Sequence, residues 1–313
     1  MTAVGPCPIC GGRVLPATTS HEADGTRYTL HGCDGCGLEH WQPLAAPHAA
    51  YYEGEEQAMY AAMHDGRRRA DEDPRFARFL DEFASCSGKR LLDVGCADGV
   101  LMDAFRARGN TVTGIDIDNK SLRAARARGL DVHEATLDNI AGAIGRDIRF
   151  DLVTMFDVLE HLTAPRRALE VARSLLVPGG RLVGTVPNRE RLFANLVSAD
   201  FPPHHFLRFD CASVGAILRL VDFVPEHVDV FQWGYAGPVL VNAATKTAKT
   251  LIRPPTTRQG VAAVDSPGGS RTKRRFKHRV ADVLNLSAAG ALRPLERGLR
   301  RGFKLYFVAR RAT

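Results

Sequence analysis

The chain has 313 residues, 45% of them apolar and 25% charged, with 42 Lys and Arg against 35 Asp and Glu. That length sets an expectation of about two domains, and the composition is that of a globular chain with material for a sizeable core. No run approaches the roughly 18 consecutive apolar residues of a membrane span. The opening MTAVGPCPIC has neither the basic nor the apolar region of a secretory signal. A cytoplasmic chain is therefore expected, possible peripheral contact with a membrane aside.

The net charge of +7 is uneven. From Lys246 to Thr313 there are 17 Lys and Arg against 3 Asp and Glu, a surplus of +14, which leaves −7 on the rest. Such a segment suits an anionic partner such as a membrane surface, a nucleic acid or a phosphorylated substrate, or is simply a solvated face.

In chain order, residues 1–45 are rich in Gly, Pro and Cys with short strand-like runs such as Arg27–Leu30. A unit this small needs a staple. Residues 46–88 read as a helical linker or lid, with Phe76, Phe79, Leu80 and Phe83 at helical spacing. From Lys89 strands and helices alternate. Strands are expected at 90–95, 111–117, 150–158, 181–188 and 227–233, and helices at 100–108, 120–128, 164–176 and 211–221. The 164–176 helix is expected to stop at Pro178-Gly179-Gly180. This alternation predicts βαβ units and a parallel sheet. Beyond Trp233, residues 234–302 read as a basic, partly helical insertion, and 303–313 as a final strand.

The segment LLDVGCADG, Leu91 to Gly99, is a strand running through a glycine turn into a helix. Such turns place free backbone N–H groups beside a ligand. The next strand ends in Asp116, where doubly wound folds carry an acid for ribose hydroxyls. Loop and acid together read as a nucleoside crevice. The dinucleotide fingerprint G-x-G-x-x-G fails, because Ala97 and Val100 occupy its second and third glycine positions. Asp93, inside the strand, would crowd a pyrophosphate but suits a ligand with a cationic end.

LLDVGCADG resembles motif I of class I methyltransferases and TGIDID resembles motif II. FDLVTMFDVLEHL (150–162) followed by LLVPGGRLVGTVPN (175–188) resembles the signature of the small-molecule branch, which includes the ubiquinone-pathway O-methyltransferases. The resemblance covers about residues 75–233. It implies a Rossmann-like class I methyltransferase sheet with helices on both faces and S-adenosylmethionine as cofactor. It also implies that Asp93, Gly95, Cys96, Ala97 and Gly99 line the methionine part and that Asp116 binds the ribose. Ile117 and Leu137 would flank the adenine, and Phe156 and Asp157 would face the cofactor beside the substrate cavity. Ala97 departs from the more usual glycine. The Glu-x-x-Glu-His metal motif of the ubiquinone-pathway enzymes has a counterpart in Asp157, Glu160 and His161, which could share a face of a helical turn.

Cys7-x-x-Cys10 and Cys33-x-x-Cys36 are separated by 22 residues, each pair followed by glycine. Four thiolates from two such turns suit zinc, and a site closed by four protein ligands is structural. His21, His31 and His40 are then expected to be surface residues. Cys86, Cys96 and Cys211 stand apart, and the odd total argues against a disulfide framework. In FPPHHFLRF (201–209), His205 is the first candidate and His204 the second for the base that takes a proton from the methyl acceptor.

The leading expectation is methylation of a small molecule, on oxygen with a histidine base. The alternatives are C-methylation of a sugar or natural product, an RNA methyltransferase, and a non-enzymatic scaffold with a vestigial cofactor site. Few aromatics interleave the basic tail, so nucleic acid is the weaker partner. Residues 239–301 are expected to be able to meet an anionic membrane or a lipid-linked substrate.

Overall fold

In the computed structural model, residues 5–45, 69–191, 200–231 and 302–313 are described. The helix-like stretch 46–68 and nearly all of the basic insertion lie outside them. The chain forms two compact units. One comprises Met1–Arg189, Ala199–Phe231 and Lys304–Thr313; the other comprises Glu190–Ser198 with Gln232–Phe303. Within the described part of the second unit, the Arg191 guanidinium lies 4.5 Å from the centre of the Phe303 ring.

Capping chemistry starts several helices of the first unit. Asp73 accepts a hydrogen bond from the Arg75 N–H and Pro74 opens helix α1 (Pro74–Glu82). Helix α2 is Val100–Arg106. Asp118 accepts from the Lys120 and Ser121 N–H groups at the head of α3 (Asn119–Ala127). Helix α4 is Ile140–Ile144 and α5 is Pro165–Leu175. Asp210 and Ser213 exchange hydrogen bonds at the start of α6 (Cys211–Leu220).

The strands are β1 (Thr19–Ala23), β2 (Thr26–Gly32), β3 (Glu39–Gln42), β4 (Arg90–Val94), β5 (Thr111–Asp116), β6 (Asp131–Glu134), β7 (Phe150–Phe156), β8 (Leu176–Pro187), β9 (Leu207–Arg208), β10 (Phe223–Phe231) and β11 (Lys304–Arg311). Seven of them form one sheet in the order β10-β11-β8-β7-β4-β5-β6. Pairing is parallel from β6 to β8, but β11 runs antiparallel to both β8 and β10. The sheet is therefore mixed, which corrects the expectation of a parallel one. A strand buried on both faces has the same composition in either direction, so KLYFVAR carries no sign of its orientation. Strand β8 also starts earlier than expected: Pro178-Gly179-Gly180 lie within it, where its pairing with β7 slips register.

Alternate side chains along the strands enter two different cores, so helices cover both faces. Leu92, Val94, Val153, Met155, Leu305 and Phe307 pack with α5 and α6. Leu91, Leu152, Phe156, Tyr306 and Val308 pack with α1, α2 and α3. This is the Rossmann-like architecture expected from the motifs, and it places the ends of β4, β5 and β7 at the crevice where such sheets bind ligands.

The second sheet is antiparallel, in the order β1-β2-β3-β9. Its fourth strand comes from the segment after β8, so residues 5–45 close onto Leu207–Arg208. Cys7, Ile9, Leu38 and Trp41 belong to the same core cluster as Phe206, Leu207 and Phe209. Among the described residues no helix is long and apolar enough to cross a membrane.

Candidate active site and cysteine cluster

Three residues of the loop after β4 have left-handed backbone: Gly95 (φ 74°), Ala97 (φ 48°) and Gly99 (φ 74°). A Cβ on Gly99 would meet Leu130 Cδ1 at 2.3 Å, and one on Gly95 would meet Val158 Cγ2 at 2.6 Å. Glycine here serves close packing as well as conformation. The loop's own N–H groups are consumed locally. Gly95 and Cys96 both donate to the Ile115 carbonyl, Gly99 donates to the Cys96 carbonyl, and Ala97 donates to Asp116 Oδ2 at 2.9 Å. These four N–H groups bond within the protein, so the loop is sewn to β5.

Two buried acids flank the loop. Asp93 is buried on β4 and accepts from Thr154 Oγ1 at 2.7 Å; burial, with repulsion from Asp116, pushes its carboxyl up to about 7. Asp116 is buried at the end of β5 and also accepts from the Asp118 N–H at 2.8 Å; burial raises its carboxyl as well. Ile117, the next residue, is 59% exposed and offers open apolar surface. Two buried carboxylates beside an apolar shelf fit a ligand with a cationic end, a sugar and a flat ring, and S-adenosylmethionine has all three. The Cys96 side chain is buried with the α1–α3 core, and only its backbone belongs to the loop. Leu137 is buried in the other core.

Beyond β7, Phe156 packs edge-on against Phe76, with ring centres 5.5 Å apart. Asp157 has left-handed backbone (φ 56°). Its carboxylate takes a hydrogen bond from Thr185 Oγ1 and pairs with Arg75 (2.5 Å) and with Lys304. Burial alone would raise this acid, but Lys304 and Arg75 outweigh burial and hold it at about 2. Glu160 and His161 follow on the 3-10 turn Leu159–His161, while the Asp157 carboxylate is engaged by Arg75 and Lys304.

His161 joins His204 and His205. One ligand nitrogen from each lies within 4.8 Å of the others. The His161 ring bonds the His204 carbonyl through Nδ1 at 2.7 Å, and His205 Nδ1 is 3.3 Å from Asp200 Oδ1. The Glu160 carboxylate is fully buried, 4.0 Å from His205 Nε2, and its oxygens have no hydrogen-bond partner among the described residues. Burial, with repulsion from Asp157, pushes Glu160 up to about 8. The sequence reading missed Asp200 behind His205 and the Arg75–Asp157–Lys304 bridge. Asp200 stands five residues before its partner, but nothing in that spacing requires contact. Arg75 and Lys304 come together only through the sheet.

The four cysteines converge. Their sulfurs lie within 4.8 Å of one another, with Cys7–Cys36 at 3.6 Å and Cys10–Cys33 at 3.3 Å. Tetrahedral zinc–thiolate bonds of about 2.3 Å would set sulfurs about 3.8 Å apart. Gly11 and Gly37, following each pair, have φ of 70° and 72°. The Gly12 N–H points at Cys10 Sγ (3.3 Å) and the Cys36 N–H at Cys33 Sγ (3.5 Å). His31 and His40 are buried, not on the surface as expected. His31 bridges Thr29 and the Leu15 carbonyl, and His40 bonds Gln42, so both serve the packing of β2 on β3.

A mixed seven-stranded sheet with acidic residues at the ends of β4 and β5 defines a Rossmann-like, nucleoside-binding class of protein. The family described as a methyltransferase domain matches residues 65–228, just over half of the chain, and the chain belongs to that family. It is similar to the ubiquinone biosynthesis O-methyltransferase of Marinobacter nauticus, 34% identical over 140 residues that make up 42% of this chain and 58% of that one. The enzyme of the same name from Pseudomonas entomophila is 35% identical over 123 residues, 38% of this chain and 53% of that one. The chain thus spans little more than half the length of these curated relatives. Its fold is similar to that of a SAM-dependent methyltransferase from Archaeoglobus fulgidus (TM-score 0.51, 18% identity, 81% of this chain and 99% of that one).

Proposed function

We propose that the chain is a class I methyltransferase that transfers the methyl group of S-adenosylmethionine to a hydroxyl of a small molecule. The observation that carries this reading is the pair of buried carboxylates, Asp93 on β4 and Asp116 on β5, on either side of the glycine loop. Asp93 would hold the ammonium, Asp116 the ribose and Ile117 the adenine. The cofactor supplies an electrophilic methyl group on a sulfonium; the chain's task is to orient the acceptor, exclude water and remove a proton. His205 is the proton acceptor in this reading, with Asp200 fixing its Nδ1–H tautomer so that Nε2 stays basic, and His204 stacks on it at 4.6 Å between ring centres. The test is radiolabelled methyl transfer into a metabolite extract, followed by identification of the labelled product. A new methyl ether supports O-methylation, a new carbon–methyl bond selects the alternative on carbon, and no transfer to any small molecule rejects the reading.

A second reading of the acceptor side has its own support in the three convergent histidines and the unpartnered Glu160. A divalent cation held by Glu160, His161, His204 and His205 would lower the acceptor hydroxyl's pKa in place of a base. Metal analysis of the full chain against His161→Asn separates the two. The cysteine cluster is read as a structural zinc site, and residues 239–301 as the segment that would meet an anionic membrane or a lipid-linked acceptor.

A further inference from the structure

Phe206 ties two parts of the first unit together. Its carbonyl accepts from the Trp41 N–H at 2.9 Å, and its own N–H donates to the Glu160 carbonyl at 2.9 Å. One neighbour belongs to the cysteine sheet and the other to the histidine cluster. His204 and His205 immediately precede Phe206, and both of their N–H groups donate to the Phe201 carbonyl (3.1 and 3.2 Å). The Phe201 ring packs on Trp41 and His21, with ring centres 5.6 and 5.0 Å away. Just after Phe206, β9 pairs with β3 through His40↔Leu207 and Glu39↔Arg208. Arg189 bonds the carbonyl of Gly37, the residue after Cys36, and also pairs with Asp210 at the head of α6. The histidine turn is thus held from the cysteine side at three points: Phe201, Phe206 and β9.

The cysteine sheet has little of its own to hold it. Its first three strands have five, seven and four residues. Sheets this small depend on a staple, and a bound structural metal contributes folding energy directly. The cofactor loop is anchored elsewhere. Asp93 and Asp116 sit on β4 and β5, whose partners are β7 and β6.

We propose that the four-cysteine site is a positioning device for the histidine turn. A zinc ion held by Cys7, Cys10, Cys33 and Cys36 fixes Trp41 and β3, and through Phe206 and β9 these hold His204 and His205 against Glu160 and Asp200. Losing the metal then displaces the histidines and leaves cofactor binding in place. This rests on the reading of the histidines as the acceptor-side groups. Trp41 is a positioning residue on the same account.

The test uses the full chain labelled with 15N-histidine, with imidazole signals assigned through His204→Asn and His205→Asn. Metal is counted by mass spectrometry before and after chelation, and S-adenosylhomocysteine binding is followed by calorimetry. The expected result is about one zinc per chain, shifted or broadened His204 and His205 signals on stripping, and an S-adenosylhomocysteine affinity changed less than about three-fold. Adding zinc back restores the signals. Trp41 is itself neither a cysteine ligand nor one of the three histidines, so Trp41→Ala separates lost positioning from the loss of any histidine-bound ion. It is expected to keep its zinc and to move the same two signals. Absence of zinc, unmoved histidine signals on stripping or in Trp41→Ala, or loss of S-adenosylhomocysteine binding together with the metal would each overturn the proposal. Failure of the zinc-loaded chain to bind S-adenosylhomocysteine would instead reject the cofactor reading, while the histidine signals still decide this one.

Discussion

Replacing Asp93 by asparagine should stabilise the ligand-free chain and weaken its hold on the cofactor. The carboxyl is buried, and its pKa rises from 3.8 to about 7. That gap corresponds to about 4 kcal/mol of stability lost once the pH exceeds both values. The sign follows from proton binding. Between about pH 4 and 7 the folded chain keeps a proton that the unfolded chain has released, so stability falls as pH rises through that window. Asparagine keeps the acceptor for Thr154 but buries an amide N–H₂ at a cost of about 1–3 kcal/mol. The net gain at pH 8 is then about 2 kcal/mol, and below pH 4 the variant loses that advantage. Binding moves the other way: without the negative charge, S-adenosylhomocysteine should bind about 10- to 100-fold more weakly, because a buried charge-assisted bond is worth about 1.5–3 kcal/mol. In the parent chain affinity should strengthen from pH 6 to 8, a trend the variant lacks. Urea unfolding across pH 4–8 and calorimetry read both effects. A stability difference that does not grow with pH, or an unchanged affinity, refutes the assignment of Asp93.

Other outcomes follow from the same geometry. Gly99→Ala should cost about 3 kcal/mol or more in urea unfolding, since its Cβ would meet Leu130 Cδ1 at 2.3 Å and its φ is 74°. Ala97→Gly should change stability by less than about 1 kcal/mol, because relief of left-handed strain is offset by unfolded-chain entropy. Asp157→Asn leaves Arg75 and Lys304 facing each other and should cost about 3–5 kcal/mol at pH 7. Asp157 has a depressed pKa, so its contribution is full above about pH 4 and is lost as pH falls toward 2; the variant's deficit should shrink in acid. His205→Gln should slow methyl transfer at least about 100-fold while S-adenosylhomocysteine still binds, as measured by product formation alongside calorimetry.

The periodic part of this fold was legible. The alternation of strands and helices from Lys89, with the glycine loop and Asp116, announced a doubly wound sheet because each element is a local solution to a local constraint, while the FD, LEH, PGG and PN segments carried the family resemblance. Strand direction was not legible: Lys304–Arg311 is apolar on both faces and pairs antiparallel only because of how the chain returns. The short β6 and β9 were missed for a related reason, since neither is long enough to show a period. The pairs of cysteines pointed to one cluster, because spacing within each pair is local and four thiols so spaced suit one tetrahedral metal. Their connection to the histidine turn depends on Phe206 and on β3 meeting β9, contacts between residues more than 160 positions apart. His31 and His40 are buried against the expectation of surface residues: the His31 ring bonds Thr29 and the Leu15 carbonyl, and His40 Nε2 bonds Gln42.

Calorimetric titration of the full chain with S-adenosylhomocysteine, set beside the same titration of Asp116→Ala, tests the central claim most directly. The account predicts saturable one-to-one binding by the parent chain and loss of most of that affinity in the variant. No binding by the parent, or equal binding by both, would contradict it.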